Sequence, residues 1–162
     1  MALTALDYIR PKRCLGGGAT PTFEVKKEAA STWSKGDLVV TNGGYAVIGG
    51  DTAAIITILG IALEDAVANT TSALICPALP HVVFECRVGG DAAGATTDTA
   101  VTQRYLSGGG SGHEMELATV FYINVAENTV SPVMIIDLVD VAGTAWGRVD
   151  FVFTSSAFNA VA

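Results

Sequence analysis

Charge is scarce in this sequence. Charged residues make up 15% of the 162-residue chain, against about 25% in an ordinary soluble domain. Long apolar runs are missing as well. The longest, Ala53–Leu63, has 11 residues and contains a glycine, whereas a membrane-spanning helix needs ~20. No such helix is expected. Cysteines number three, Cys14, Cys76 and Cys86, with no CxxC. They cannot all pair within one chain, and they do not resemble an exported disulfide framework. The opening MALTALDYIRPKRC has no positive start followed by an apolar core, so no secretory signal is read and assembly in a reducing cytoplasm is expected.

Apolar residues and glycine are plentiful. Hydrophobic residues make up 50% of the chain and glycines number 18, and the mean hydropathy is +0.45. Apolar surface in such excess, with no membrane span to absorb it, implies burial between subunits or against a larger partner. The length suits one domain, or one domain with a small second lobe.

The few charges are unevenly placed. Residues 1–35 carry six basic and three acidic side chains, and the remainder three basic and thirteen acidic, which makes +3 and −10. A basic arm on an acidic body suggests that the arm docks on an acidic surface of a neighbour. Arg10, Lys12, Arg13, Lys26 and Lys27 are the candidate contact residues. The acidic body would repel phosphate, and no recognition motif is present, so nucleic acid is not an expected partner.

Turn and strand signals dominate the rest. Residues 1–32 have weak periodicity, with Pro11, Gly16-Gly17-Gly18 and Pro21 as breakers and Thr22–Val25 as a short strand; they read as an extended N-terminal arm. In Trp33–Ala66, Asp37–Val40 and Tyr45–Ile48 flank Thr41-Asn42-Gly43-Gly44, a strong hairpin signal. Ile55–Leu63 supplies a third strand, with Gly60 as a bulge or bend. Ser72–Cys76 is the next strand, and His81–Val88 alternates, with Val82, Phe84, Cys86 and Val88 on its apolar side. Thr96-Thr97-Asp98 caps an expected short helix to about Leu106, and Ser107–Gly112 is a glycine-rich linker. Met115–Val125, Val133–Val139 and Arg148–Phe153 complete the strands, separated by turns at Glu127-Asn128 and Gly143–Gly147. In the last strand Val149, Phe151 and Phe153 share a face opposite Arg148, Asp150 and Val152.

Catalytic chemistry has little to stand on. His81 and His113 have no ligand or triad partner at motif spacing. The run Gly108–His113 lacks the Gly-Lys-Ser/Thr ending of a phosphate loop, and His113 stands where GxSxG needs glycine. The pairs Asp137/Asp140 and Glu64/Asp65 are not at calcium-loop spacing, and His113-Glu114 does not continue into HExxH. No catalytic residue, metal ligand or cofactor is therefore expected. Trp33 and Trp146, each near a glycine, read as core or interface plugs.

The run WSKGDLVVTNGGYAVIGGDTAAIITILGIALEDA, then PALPHVVFECRV, then RVDFVFTSSAFN, resembles the capsid decoration (cement) proteins of tailed bacteriophages. The likeness rests on a G-D-L-V … G-x-A … G-I-A-L-E-D-A rhythm, an extended strand after a proline, and a closing R-V-x-F-x-F strand. Here these are Gly36–Val40, Gly60–Ala66, Pro80–Val88 and Arg148–Phe153, and the likeness spans roughly 33–158. The resemblance implies a small β-barrel lobe with a second lobe, and a homotrimer on the outer capsid surface. Major capsid protein would be the partner, held against the pressure of packaged DNA.

The expectation is thus a mainly β protein: a small β-barrel or sandwich lobe, a second β-rich or α+β lobe, and an extended N-terminal arm. Residues 1–32 form the arm, 33–158 the decoration domain with a lobe boundary near 89–112, and 159–162 a tail. The expected role is structural, in the virion. Other phage structural parts, such as a head–tail connector or tail protein, are the first alternative, and a small β-barrel enzyme or ligand-binding protein the second.

Overall fold

The computed structural model describes residues 3–50, 57–89, 114–125, 132–141, 144–154 and 156–158. Within these the chain is mainly β. Eleven strands run in order: β1 Arg10–Cys14, β2 Phe23–Lys26, β3 Leu38–Asn42, β4 Tyr45–Ile48, β5 Ile58–Ala62, β6 Ser72–Pro77, β7 Val82–Gly89, β8 Glu114–Leu117, β9 Phe121–Asn124, β10 Val133–Leu138 and β11 Arg148–Phe153. They form two sheets. One has five strands in the order β2-β6-β5-β3-β4; the other has six, β10-β11-β7-β9-β8, with β1 also paired to β7.

The local chemistry explains the first sheet. β3 and β4 pair with Asn42 opposite Tyr45, leaving Gly43-Gly44 as a two-residue loop. Both glycines have positive φ, 57° and 85°, as a type I′ turn requires. The pairing of β3 with β5 shifts register where Val39 faces Gly60 and Val40 faces Ile58, so a bulge falls beside Gly60 as the sequence led us to expect. Gly60 also faces β6 closely: a Cβ there would lie 2.1 Å from the Cys76 carbonyl oxygen.

Strand alternation builds the core. Val82, Phe84, Cys86 and Val88 of β7 and Val149, Phe151 and Phe153 of β11 point to one side, and all are buried. They join Leu38, Ile58, Ile61 and Cys76 of the five-stranded sheet in one cluster, so the two sheets share a core. Phe84 stacks on Phe151 at 5.6 Å between centroids and meets Phe153 edge-on at 5.3 Å. The opposite face of the five-stranded sheet is covered too, with Val39, Ala62, Ala73 and Ile75 packed with Trp33.

Neither sheet closes on itself, so of the barrel and sandwich alternatives the arrangement is of the sandwich type. Three further expectations change. Met115–Val125 is two antiparallel strands, β8 and β9, because the chain turns over at 118–120, where Ala118 N–H donates to the Val120 carbonyl. Pro11 does not break its segment but lies within β1, next to a bulge at Lys12. Among the described residues β1 is paired to β7 alone, and an edge position or a bulge tolerates the missing N–H. The N-terminal segment is extended, but it lies on its own chain: β1 on β7 and β2 on β6. The helix read at 96–106, the linker 107–112, His113 and the Glu127-Asn128 turn lie outside the described residues.

Lys27 follows β2 and is 1% exposed. Its ammonium donates to the carbonyls of Glu28 at 2.8 Å, Thr70 at 3.3 Å and Ala29 at 3.5 Å, and lies 5.7 Å from the Trp33 ring centroid. The Glu28 and Ala29 carbonyls also accept from Ser31 and Asn69 N–H, so the Thr70 carbonyl depends most on the lysine. Lys27→Met keeps the stem and removes the donor, and should destabilise the fold by about 2 kcal/mol. A urea midpoint equal to that of the unaltered chain would contradict this role.

Candidate interaction surface

The outward side of the six-stranded sheet carries a problem of like charges. Strand register sets Arg148 of β11 opposite Arg87 of β7, and Asp150 opposite Glu85. Such pairs repel when left alone. Part of the compensation is diagonal, with Arg148 Nη1 3.5 Å from Glu85, and the rest comes from outside the two strands. Arg148 donates to both Asp140 oxygens, at 2.8 and 3.1 Å, and Arg87 Nη1 stands 3.5 Å from Asp140. Arg87 Nε also donates to Asp7 at 2.8 Å, from the N-terminal segment. On the acidic pair, Lys12 donates to Asp150 at 2.8 Å and lies 3.4 Å from Glu85, while Arg13 donates to Asp150 at 2.6 Å.

The bulge explains how neighbouring residues reach one carboxylate. In a regular strand Lys12 and Arg13 would point to opposite faces. The extra residue at Lys12 cancels that alternation, and both cations reach the nearly buried Asp150. Four acids and four bases thus form one neutral seam that straps residues 7–13 to the body.

The five sequence candidates therefore have different fates. Lys12 and Arg13 are engaged by Asp150, and Lys27 is buried on carbonyls. Arg10 and Lys26 are exposed. Arg10 lies 4.8 Å from the Tyr8 ring centroid and donates to the Leu6 carbonyl at 2.9 Å; Lys26 lies 4.8 Å from the Tyr45 centroid. Lys35, which shares Tyr8 with Arg10 at 5.8 Å, was not singled out by sequence. Its nearness to Tyr8, 27 positions earlier, has no local signal. Asp150 was placed only on an outer strand face, with no indication of its partners.

Other groups weighed in the sequence are in structural use. Glu64 accepts the Leu74 N–H and Asp65 the Lys35 N–H. Asp140 belongs to the seam; His81, by contrast, is exposed in the turn just before β7. All three thiols are free. Burial pushes the Cys76 thiol up to about 12, with nearby Cys14 adding to the rise, and burial raises Cys86 too. Neither offers a thiolate nucleophile near neutrality. Among the described residues no three His, Cys, Asp or Glu side chains are grouped as metal ligands, and no helix is long and apolar enough to cross a membrane.

The seam carries a pH dependence. Burial raises the Asp7 carboxyl, but hydrogen bonds from Thr4 and Arg87 outweigh it and leave the pKa below the usual value. Asp140 is lowered by its bonds from Arg148, against a smaller effect of burial. Depressed carboxyl pKa values give stability that is complete above the unfolded value, ~4, and is lost as pH falls through the folded value. Asp37 acts oppositely, since burial raises it. The urea midpoint should fall between pH 5 and pH 3, and Asp140→Asn should flatten that decline. An unchanged slope would show that Asp140 contributes nothing to it.

Apolar side chains remain on the outside. Phe23 is 51% and Tyr45 41% exposed, on the first and last strands of the five-stranded sheet. Phe23 packs edge-on against half-exposed Phe158 at 6.0 Å, and Leu74 and Ile48 are also exposed. No family model and no curated protein matches this chain.

Proposed function

We propose that this chain is a structural virion protein that decorates a phage capsid and stabilises it by bridging neighbouring major capsid subunits. One observation carries the reading: the four stretches that bear the resemblance run through the inner strands of both sheets. Gly36–Val40 leads into β3, Gly60–Ala66 follows from β5, and Pro80–Val88 and Arg148–Phe153 are β7 and β11. The likeness thus concerns the parts that set the fold, and not a loop. The four acids and four bases of the seam, with Lys27, are occupied with holding the chain together, and apolar side chains are left at the sheet margins.

In this reading the protein is a homotrimer on the outer capsid surface, assembled in the host cytoplasm, and is not an enzyme. The five-stranded sheet stays open, with β2 and β4 as its end strands and the isolated Lys27–Ala46 bridge between the two sides. The mechanism is multivalent. Each footprint binds weakly, and joining three raises the effective concentration so that avidity exceeds single-site affinity. Light scattering on the purified protein tests the assembly: a trimer mass is expected, and a stable monomer would contradict it. Virion copy number separates the alternative, since a connector would be present in only about a dozen copies by symmetry.

A further inference from the structure

The cations of the described residues fall into three groups. Lys12, Arg13, Arg87 and Arg148 are paired with carboxylates, and Lys27 is buried on carbonyls. The others, Arg10, Lys26 and Lys35, form no ion pair among the described residues, and each lies against a tyrosine ring. Two share one ring, with Arg10 Cζ 4.8 Å and Lys35 Nζ 5.8 Å from the Tyr8 centroid.

Nearby acids are turned elsewhere. Asp7 accepts from Arg87 and Thr4, Asp37 accepts the Ser34 N–H at 2.8 Å, and Asp65 accepts the backbone N–H of Lys35 at 2.7 Å. An aromatic face holds a cation through its quadrupole and adds no negative charge. Arg10 and Lys35 are therefore steadied while their charge stays available. Beside Arg10 opens a pocket of about 80 Å³, whose lining includes Tyr8, Arg10, Arg87 and Arg148, together with Asp7 and Glu85. That is far below the ~300 Å³ of a small-molecule site, but it admits the head of one carboxylate side chain.

We infer that Tyr8, Arg10 and Lys35 form a docking site for a short acidic segment of a partner protein. A second copy would bring its whole net charge of −7 to the contact, whereas a different protein needs only a local acidic segment. The identity of that protein as a capsid subunit rests on the function proposed above; the site itself does not.

The test uses the full chain and fluorescein-labelled hexaglutamate at low salt, read by anisotropy, with hexalysine as the control. The unaltered protein should bind hexaglutamate, and Arg10→Ala with Lys35→Ala should weaken binding about tenfold, while Lys26→Ala leaves it nearly unchanged. Matching circular dichroism spectra and melting temperatures establish that the double variant is folded. Equal binding by the unaltered and double-variant proteins, or none by the former, would overturn the site. If the double substitution instead breaks up an oligomer, the occupant is a second copy and the partner assignment is wrong. Failure to bind capsid shells with the peptide result intact would remove the proposed function and leave the site standing.

Discussion

Gly60→Ala should cost at least about 3 kcal/mol, at the upper end of what overpacking normally costs. The added Cβ would lie 2.1 Å from the Cys76 carbonyl oxygen and 2.9 Å from Pro77 Cα. Both are backbone atoms of the neighbouring strand, so no side-chain rotation relieves the clash. β5 must move away from β6, and Ile61 and Cys76, which face each other there, would lose their packing in the shared core. At ~2–4 °C per kcal/mol for a chain of this size, the melting temperature should fall by roughly 10 °C. Gly50→Ala is the control, since a Cβ there meets nothing within 4 Å among the described residues, and it should melt as the unaltered protein does. If both variants melt alike, the close β5–β6 approach is wrong.

Phe84→Ala should cost about 3–5 kcal/mol, the range for removing a buried aromatic ring. Phe84 is fully buried in β7, which pairs with β1, β9 and β11, and its ring meets both Phe151 and Phe153. Truncation leaves a void bounded by two rings that are themselves in contact at 5.5 Å, and the two-sheet framework limits collapse into it. Phe84→Leu retains most of the volume and should cost less than half as much. Equal losses from the two variants would mean that the ring contacts, and not the filled space, carry the stability.

Much of the fold could be read from local chemistry. Gly43-Gly44 between two β-rich runs specified a hairpin, and alternation in Val82–Val88 and Arg148–Phe153 identified their buried sides. Gly60 stood out in a β-branched run because only a residue without Cβ suits so close a neighbour. The division of Met115–Val125 was not legible, since Ala118-Thr119-Val120 contains no glycine, proline, asparagine or aspartate to announce a turn. Pro11 misled for a related reason: proline breaks central strands, and nothing local says that a segment will be an edge.

The charged surface was the least legible part. The sequence marked Lys12, Arg13 and Lys27 as cations in a basic arm, but their environments are set at long range. Asp150 lies 138 positions beyond Lys12, and Thr70, one acceptor of Lys27, lies 43 positions away. Composition indicates a basic arm; only the folded register reveals which of its charges are already neutralised. Arg10 and Lys35 remain because the acids around them hold other donors.

The most direct test of the central claim, that this protein works by adhesion to capsid subunits, is its stoichiometry on purified virions. Quantitative gel densitometry against the major capsid protein, before and after a high-salt wash, should give a copy number approaching that of the capsid subunits. Absence from the particle, or a copy number near a dozen, would contradict it.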